Sequence, residues 1–195
     1  MGKSRFEAFS DGVLAIILTI MVLELHVPKD QARFADLAPV LPVLASYLLS
    51  FVNIGIYWNN HHHLLHATRR VDAAVLWANL HLLFWLSLIP FVTGWMGENH
   101  FPATPTAIYG VVMLMSGFGY FVLQATIIRD QGPGSRLKAA VGRDAKALLS
   151  IGGYVIAIPL AFVSPWISIG CYAAVAGMWL VPDKRIEVHI TDARE

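Results

Sequence analysis

The chain has 195 residues, 56% hydrophobic and only 14% charged, with a formal net charge of +1. Soluble domains sit near 45–50% apolar and about 25% charged, so an ordinary soluble fold is excluded. The net charge points to no partner, no nucleic acid is expected, and the single cysteine, Cys171, rules out an internal disulfide.

The apolar residues form six runs, each near the ~20 residues that a helix needs to cross the hydrocarbon core. The first covers Phe9 to Val27. Its basic flank, Lys3 and Arg5, resembles that of a signal peptide, but no small-residue cleavage site follows and further spans do, so the segment is expected to stay. The second covers Ala38 to Asn60, with Pro39 and Pro42 in its first turns, where proline is tolerated. The third covers Val71 to Met96 and contains Pro90. The fourth covers Thr106 to Ile128. The fifth, Ala147 to Val163, contains Pro159, and only Ser164 separates it from the sixth, Pro165 to Val181. The last two spans are therefore expected to form a tight hairpin. No internal repeat interrupts this pattern, and residues 1–195 read as one all-α integral membrane domain, a six-helix transmembrane bundle.

Lysine and arginine set the orientation. Of the 14 in the chain, only Lys29 and Arg33 fall on one side. Lys3, Arg5, Arg69, Arg70, Arg129, Arg136, Lys138, Arg143, Lys146, Lys184, Arg185 and Arg194 fall on the other, which is assigned to the cytoplasm. Both termini are then cytoplasmic, in a multi-pass protein of the cell membrane whose longest loop, Arg129 to Lys146, is also cytoplasmic. Trp58, Trp95 and Trp166 lie near span ends, where an aromatic belt would place them.

The first span opens Arg5-Phe6-Glu7-Ala8-Phe9-Ser10-Asp11-Gly12. Ionisable groups at the mouth of an apolar helix are costly unless paired or wet, and usually mark function. The structural alternative is an N-cap at Ser10 or Asp11, with Arg5 snorkelling to the interface. The arrangement Arg5, Phe9, Ser10, Asp11 at this topological position resembles the Arg-x-x-x-Phe-Ser-Asp motif of the transmembrane protein 175 family, the lysosomal potassium channel and its bacterial relatives. His61-His62-His63 after Tyr57-Trp58, Asn79, and Pro90-Phe91-x-Thr93 agree with that resemblance. It covers the whole chain.

The resemblance implies a single-repeat bacterial member that assembles as a homotetramer, with the first helix of each subunit lining a central pore. It implies potassium selectivity without a carbonyl filter, and the chain has no Thr-Val-Gly-Tyr-Gly loop. It also implies a side-chain constriction at Ile16, five positions after the motif aspartate, and a selectivity contribution from Thr19. Helical geometry agrees: Gly12, Ile16, Ile20 and Leu23 share one side, with Thr19 at its edge, and Asp11 projects about 140° from Ile16. Ile16, Thr19, Ile20 and Leu23 are thus the expected pore residues. Ser10 and Asp11 are expected to act as polar glue toward the second and third helices, with His61, His62, His63, Trp77 and Asn79 as candidate partners. Glu24, near the other end of the helix, is either a solvated interface residue or part of a ring of carboxylates at the outer mouth.

His61, His62, His63 and His66 also prompt a metal reading. Adjacent helical residues point about 100° apart, so only His62 and His66 share a face, and no metal is expected. No nucleotide loop, zinc-protease motif or nucleophile–base arrangement is present, so the chain is not read as an enzyme and needs no cofactor; potassium is the permeant ion. The alternative function is a proton-coupled transporter or proton pathway through Asp11 and the His61–His66 cluster. Transporters tend to carry internal repeats and helices broken at mid-membrane, which the first span lacks.

Overall fold

The computed structural model describes residues 2–26, 34–68, 70–132, 137–138 and 145–180. The expectations placed on Lys29, Arg33, Arg69, Arg136, Arg143, Lys184, Arg185, Arg194 and the segment ends Val27 and Val181 lie outside these residues.

Among the described residues the regular structure is entirely helical: α1 Lys3–Leu23, α2 Leu41–His66, α3 Ala73–Ser87, α4 Ile89–Glu98, α5 Ala103–Gln131, α6 Ala145–Leu160 and α7 Pro165–Leu180, with a 3-10 turn, Phe34–Val40, before α2. Four apolar stretches, Lys3–Leu23, Phe34–His66, Ala73–Glu98 and Ala103–Gln131, are long enough to cross a membrane. The shorter apolar pair α6 and α7 completes the six-segment order.

Three differences from the expected spans have local causes. The first helix begins at Lys3 and is preceded by Gly2, which offers no side-chain cap. Ser10 and Asp11 therefore sit about two turns inside the helix and do not cap it. In the second segment the chain turns through the 3-10 stretch containing Pro39, and the α-helix starts only at Leu41, with Pro42 in its first turn. The third segment is two helices. Pro90 has no N–H for the carbonyl four residues back, and the ladder breaks at Leu88, whose own N–H turns to the Trp85 carbonyl at 3.2 Å.

Small and polar residues let the helices approach. Gly97 on α4 lies against the α2 backbone, where an added Cβ would meet Val43 Cα at 2.8 Å. On α5, a Cβ added to Gly119 would meet Leu82 Cα of α3 at 3.0 Å. Between these contacts, Ser50 and Thr93 share a 2.7 Å hydroxyl–hydroxyl bond, and Ser50 donates to Tyr109 Oη at 3.3 Å. Asn53 donates to Leu49 O at 3.0 Å and to Tyr109 Oη at 3.4 Å. In an apolar surrounding such groups must be satisfied within the protein, so this cluster ties α2, α4 and α5 together. The expected hairpin of the last two segments is present: Ser164 N–H bonds Leu160 O at 2.8 Å, and Ser168 Oγ on α7 reaches back to Ala157 O at 2.7 Å.

Candidate pore helix and its polar anchor

α1 presents two unlike faces. Phe6, Ser10, Leu14, Ile17 and Met21 are buried against its own bundle. Gly12, Ile16, Thr19, Ile20 and Leu23 are exposed, Ile16 at 58% and Leu23 at 73%. Helical spacing alone separates the two sets, because residues three and four apart stack on one side.

The buried face carries a chain of hydrogen bonds. Ser10 Oγ donates to Phe6 O at 3.1 Å and accepts from Asn79 Nδ2 at 2.9 Å. With its amide nitrogen committed to Ser10, Asn79 accepts at Oδ1, so His61 donates from Nε2 at 2.8 Å. All three side chains are buried, and His61 Nδ1 has no partner among the described residues. Three helices, α1, α2 and α3, are thereby joined through one asparagine.

Asp11 is held differently. It is half-buried, and Oδ1 accepts from the Trp58 indole N–H at 3.1 Å. Neither the histidines nor Asn79 bonds it. Trp58, expected near a span end, also heads a small ring stack at the C-terminal end of α2, with its ring on His62 at 5.9 Å between centroids and His62 against His66 at 4.6 Å. The sequence places Trp77, not Trp58, among the candidate partners of Ser10 and Asp11. Trp77, a candidate partner, is 73% exposed and stands outside the network. Arg5 and Phe9 are also exposed, and His62 and His63 lie on the outer side of α2. Lys3 Nζ donates to His66 O at 2.9 Å and so ties the start of α1 to the end of α2. Asp72, the acidic residue nearest the histidines in sequence, caps α3 by accepting from Val75 N–H at 2.8 Å. Among the described residues no group of three or more histidine, cysteine or acidic side chains is placed to hold a metal ion.

The segment that carries these contacts, residues 5–90, matches the model of the family described as endosomal/lysosomal potassium channel TMEM175. A potassium channel of Chryseobacterium sp. (strain P1-3) is 53% identical over 187 residues, which cover 96% of this chain and 97% of that protein. The chain belongs to the TMEM175 family. The fold agrees with the crystal structure of a lysosomal potassium-selective channel TMEM175 homolog from Chamaesiphon minutus, with a TM-score of 0.80 at 28% identity, covering 92% of this chain and 96% of that one. The human protein named endosomal/lysosomal proton channel TMEM175 is 38% identical over 96 residues, 43% of this chain and 19% of that protein.

TMEM175 membership concerns the first three segments most directly, and the far end of α1 completes the candidate site. Glu24 is the C-cap of α1. Its carboxylate lies over Gly94 of α4, close enough that a Cβ there would meet Oε2 at 3.2 Å. Glu98 lines the same recess, 3.9 Å from His26 Nδ1. Thr19 Oγ1 donates to Ile16 O at 2.9 Å and Ala15 O at 3.1 Å, which spends its proton on the backbone.

Proposed function

We propose that the chain is one subunit of a homotetrameric, potassium-selective cation channel whose central pore is lined by α1. Ions pass down their own gradient, and no cofactor or enzymatic step is involved. The observation that carries this reading is the exposed aliphatic stripe of α1, Ile16, Ile20 and Leu23, on a helix whose opposite face, with Ser10, is turned into its own bundle. Four copies around an axis would bring Ile16 side chains together as a hydrophobic neck, narrow enough to expel water and raise the cost for a hydrated ion. Thr19 lies about one turn further along. Its hydroxyl proton is bound to the helix backbone, so its lone pairs point outward for a partly dehydrated cation. Glu24, held over Gly94, would place one carboxylate per subunit near the outer mouth and concentrate cations there. The excess of lysine and arginine on one side supports a cell-membrane protein with both termini in the cytoplasm, and residues 1–195 act as a single channel domain.

The test is potassium flux into liposomes that hold only the purified protein, with and without an imposed proton gradient. Flux that follows the potassium gradient alone is expected. The name of the human relative, a proton channel, and the buried, partly unbonded His61 favour a second reading, proton permeation. Potassium movement that requires a proton gradient would replace the channel with a coupled transporter using Asp11 and the His61–His66 group. Mass measurement in detergent tests the assembly: an active monomer would overturn the shared pore.

A further inference from the structure

Arg5, Phe9, Ser10 and Asp11 form one motif in sequence, but the helix divides them between two faces. At about 100° per residue, Arg5 and Phe9 each fall about 20° from Ile16, whereas Ser10 falls about 120° and Asp11 about 140° away. Exposure agrees: Arg5, Phe9, Gly12 and Ile16 are all open on one side of α1, and Ser10 is buried. The Arg5 guanidinium forms no ion pair or hydrogen bond among the described residues. The acidic side chains nearest it on the helix are engaged elsewhere. Glu7 lies 3.8 Å from Lys3 Nζ, and Asp11 accepts from the Trp58 indole. Lys3, about 140° from Ile16, sits on the other side of the same helix end and donates to His66 O.

A straight helix that turns Ile16 to an axis turns Arg5 to it as well, about 16 Å nearer the cytoplasm. An interfacial arginine ordinarily snorkels to lipid headgroups, but around a closed axis this face looks inward. Given the tetrameric α1 pore proposed above, on which this rests, we propose that the Arg5 guanidiniums ring the cytoplasmic mouth and make the pore rectify. They deplete potassium at the inner entrance, so that the pore carries inward current better than outward. Arginine stays charged at any working pH, so this field is permanent. Phe9, 49% exposed and one turn further in, gives the ring a low-dielectric wall, which focuses the field along the axis. The mouth is wet, and salt water screens the ring within about 8 Å at physiological ionic strength. The ring therefore lowers cation occupancy there without closing the path.

Inside-out patches from cells expressing the full chain, in symmetric potassium chloride, test this. The outward-to-inward current ratio at equal and opposite voltages is expected to lie about twofold or more below one. Raising the salt from about 0.1 M to about 1 M shortens the screening length from about 10 Å to about 3 Å and should bring the ratio toward one, with no substitution needed. Arg5→Gln should raise the ratio about twofold at the lower salt, and Arg5→Lys, which keeps the charge, should stay near the parent. Lys3→Gln removes the same charge from the other side of the helix end and should leave the ratio unchanged. A parent current without rectification, a ratio that ignores salt, or equal effects of Lys3→Gln and Arg5→Gln would each overturn the proposal. An unchanged ratio in Arg5→Gln, with Ile16→Asn still raising conductance, would overturn it and leave the α1 pore standing. No effect at either residue would remove the α1 pore as well.

Discussion

Ser10 and Ile16 are six residues apart on one helix and end in opposite surroundings. Ser10 is fully buried and bonded to Asn79, while Ile16 is exposed along with Ile20 and Leu23. The usual expectation for a soluble helix is the reverse, with apolar residues inward and polar residues outward. In a membrane bundle the apolar solvent removes the reason to bury aliphatic side chains, whereas polar ones must find partners inside the protein. The contrast teaches that the buried face of α1 anchors the fold and leaves the other face free for function.

Substitutions on the two faces should therefore read out in different measurements. The largest effect is expected from Leu14→Asn. Leu14 is fully buried, and an unpartnered amide there costs about 3–5 kcal/mol. Size-exclusion profiles should show aggregated protein and flux assays no gain. A well-folded Leu14→Asn channel with raised conductance would mean that the two faces have been assigned the wrong way round.

Next is Asn79→Ala, which leaves both Ser10 Oγ and His61 Nε2 short of a partner. A loss of about 2–3 kcal/mol is expected, seen as a lower melting temperature in detergent. An unchanged melting curve would remove this chain of bonds from any anchoring role.

Asp11→Ala and Trp58→Phe should each cost about 0.5–1.5 kcal/mol, less than Asn79→Ala because the bond is half-exposed. The double variant should be little worse than either single one; strict additivity in this double-mutant cycle would show that the two side chains do not act as a pair. Ion selectivity is expected to stay close to that of the parent protein in both.

The smallest effect on stability, and the clearest on flux, is expected at Ile16. Ile16→Asn should leave melting unchanged within about 0.5 kcal/mol. It should raise potassium conductance several-fold with some loss of discrimination against sodium, because it wets the neck. Thr19→Val should lower potassium preference without closing the pore. Bilayer recordings that show no change at Ile16 would move the constriction elsewhere on α1.

Much of this was legible in one dimension. Hydrophobic run length placed the six segments, because crossing a bilayer requires it of each segment separately. The stripe of Gly12, Ile16, Ile20 and Leu23 followed from the helical repeat and is exposed as a unit. The motif Arg5, Phe9, Ser10, Asp11 pointed to the family. Partners were a different matter. Ser10 meets Asn79 across 69 residues and Asp11 meets Trp58 across 47, and both pairings depend on the rotation of α1, α2 and α3 about their own axes. Run length and periodicity constrain no such rotation between helices. So sequence position favoured Trp77 as a partner, and only packing brought Trp58 to Asp11 and left Trp77 outside the network. The break at Leu88 was half visible in Pro90, since a missing N–H permits a kink without requiring that the helix end.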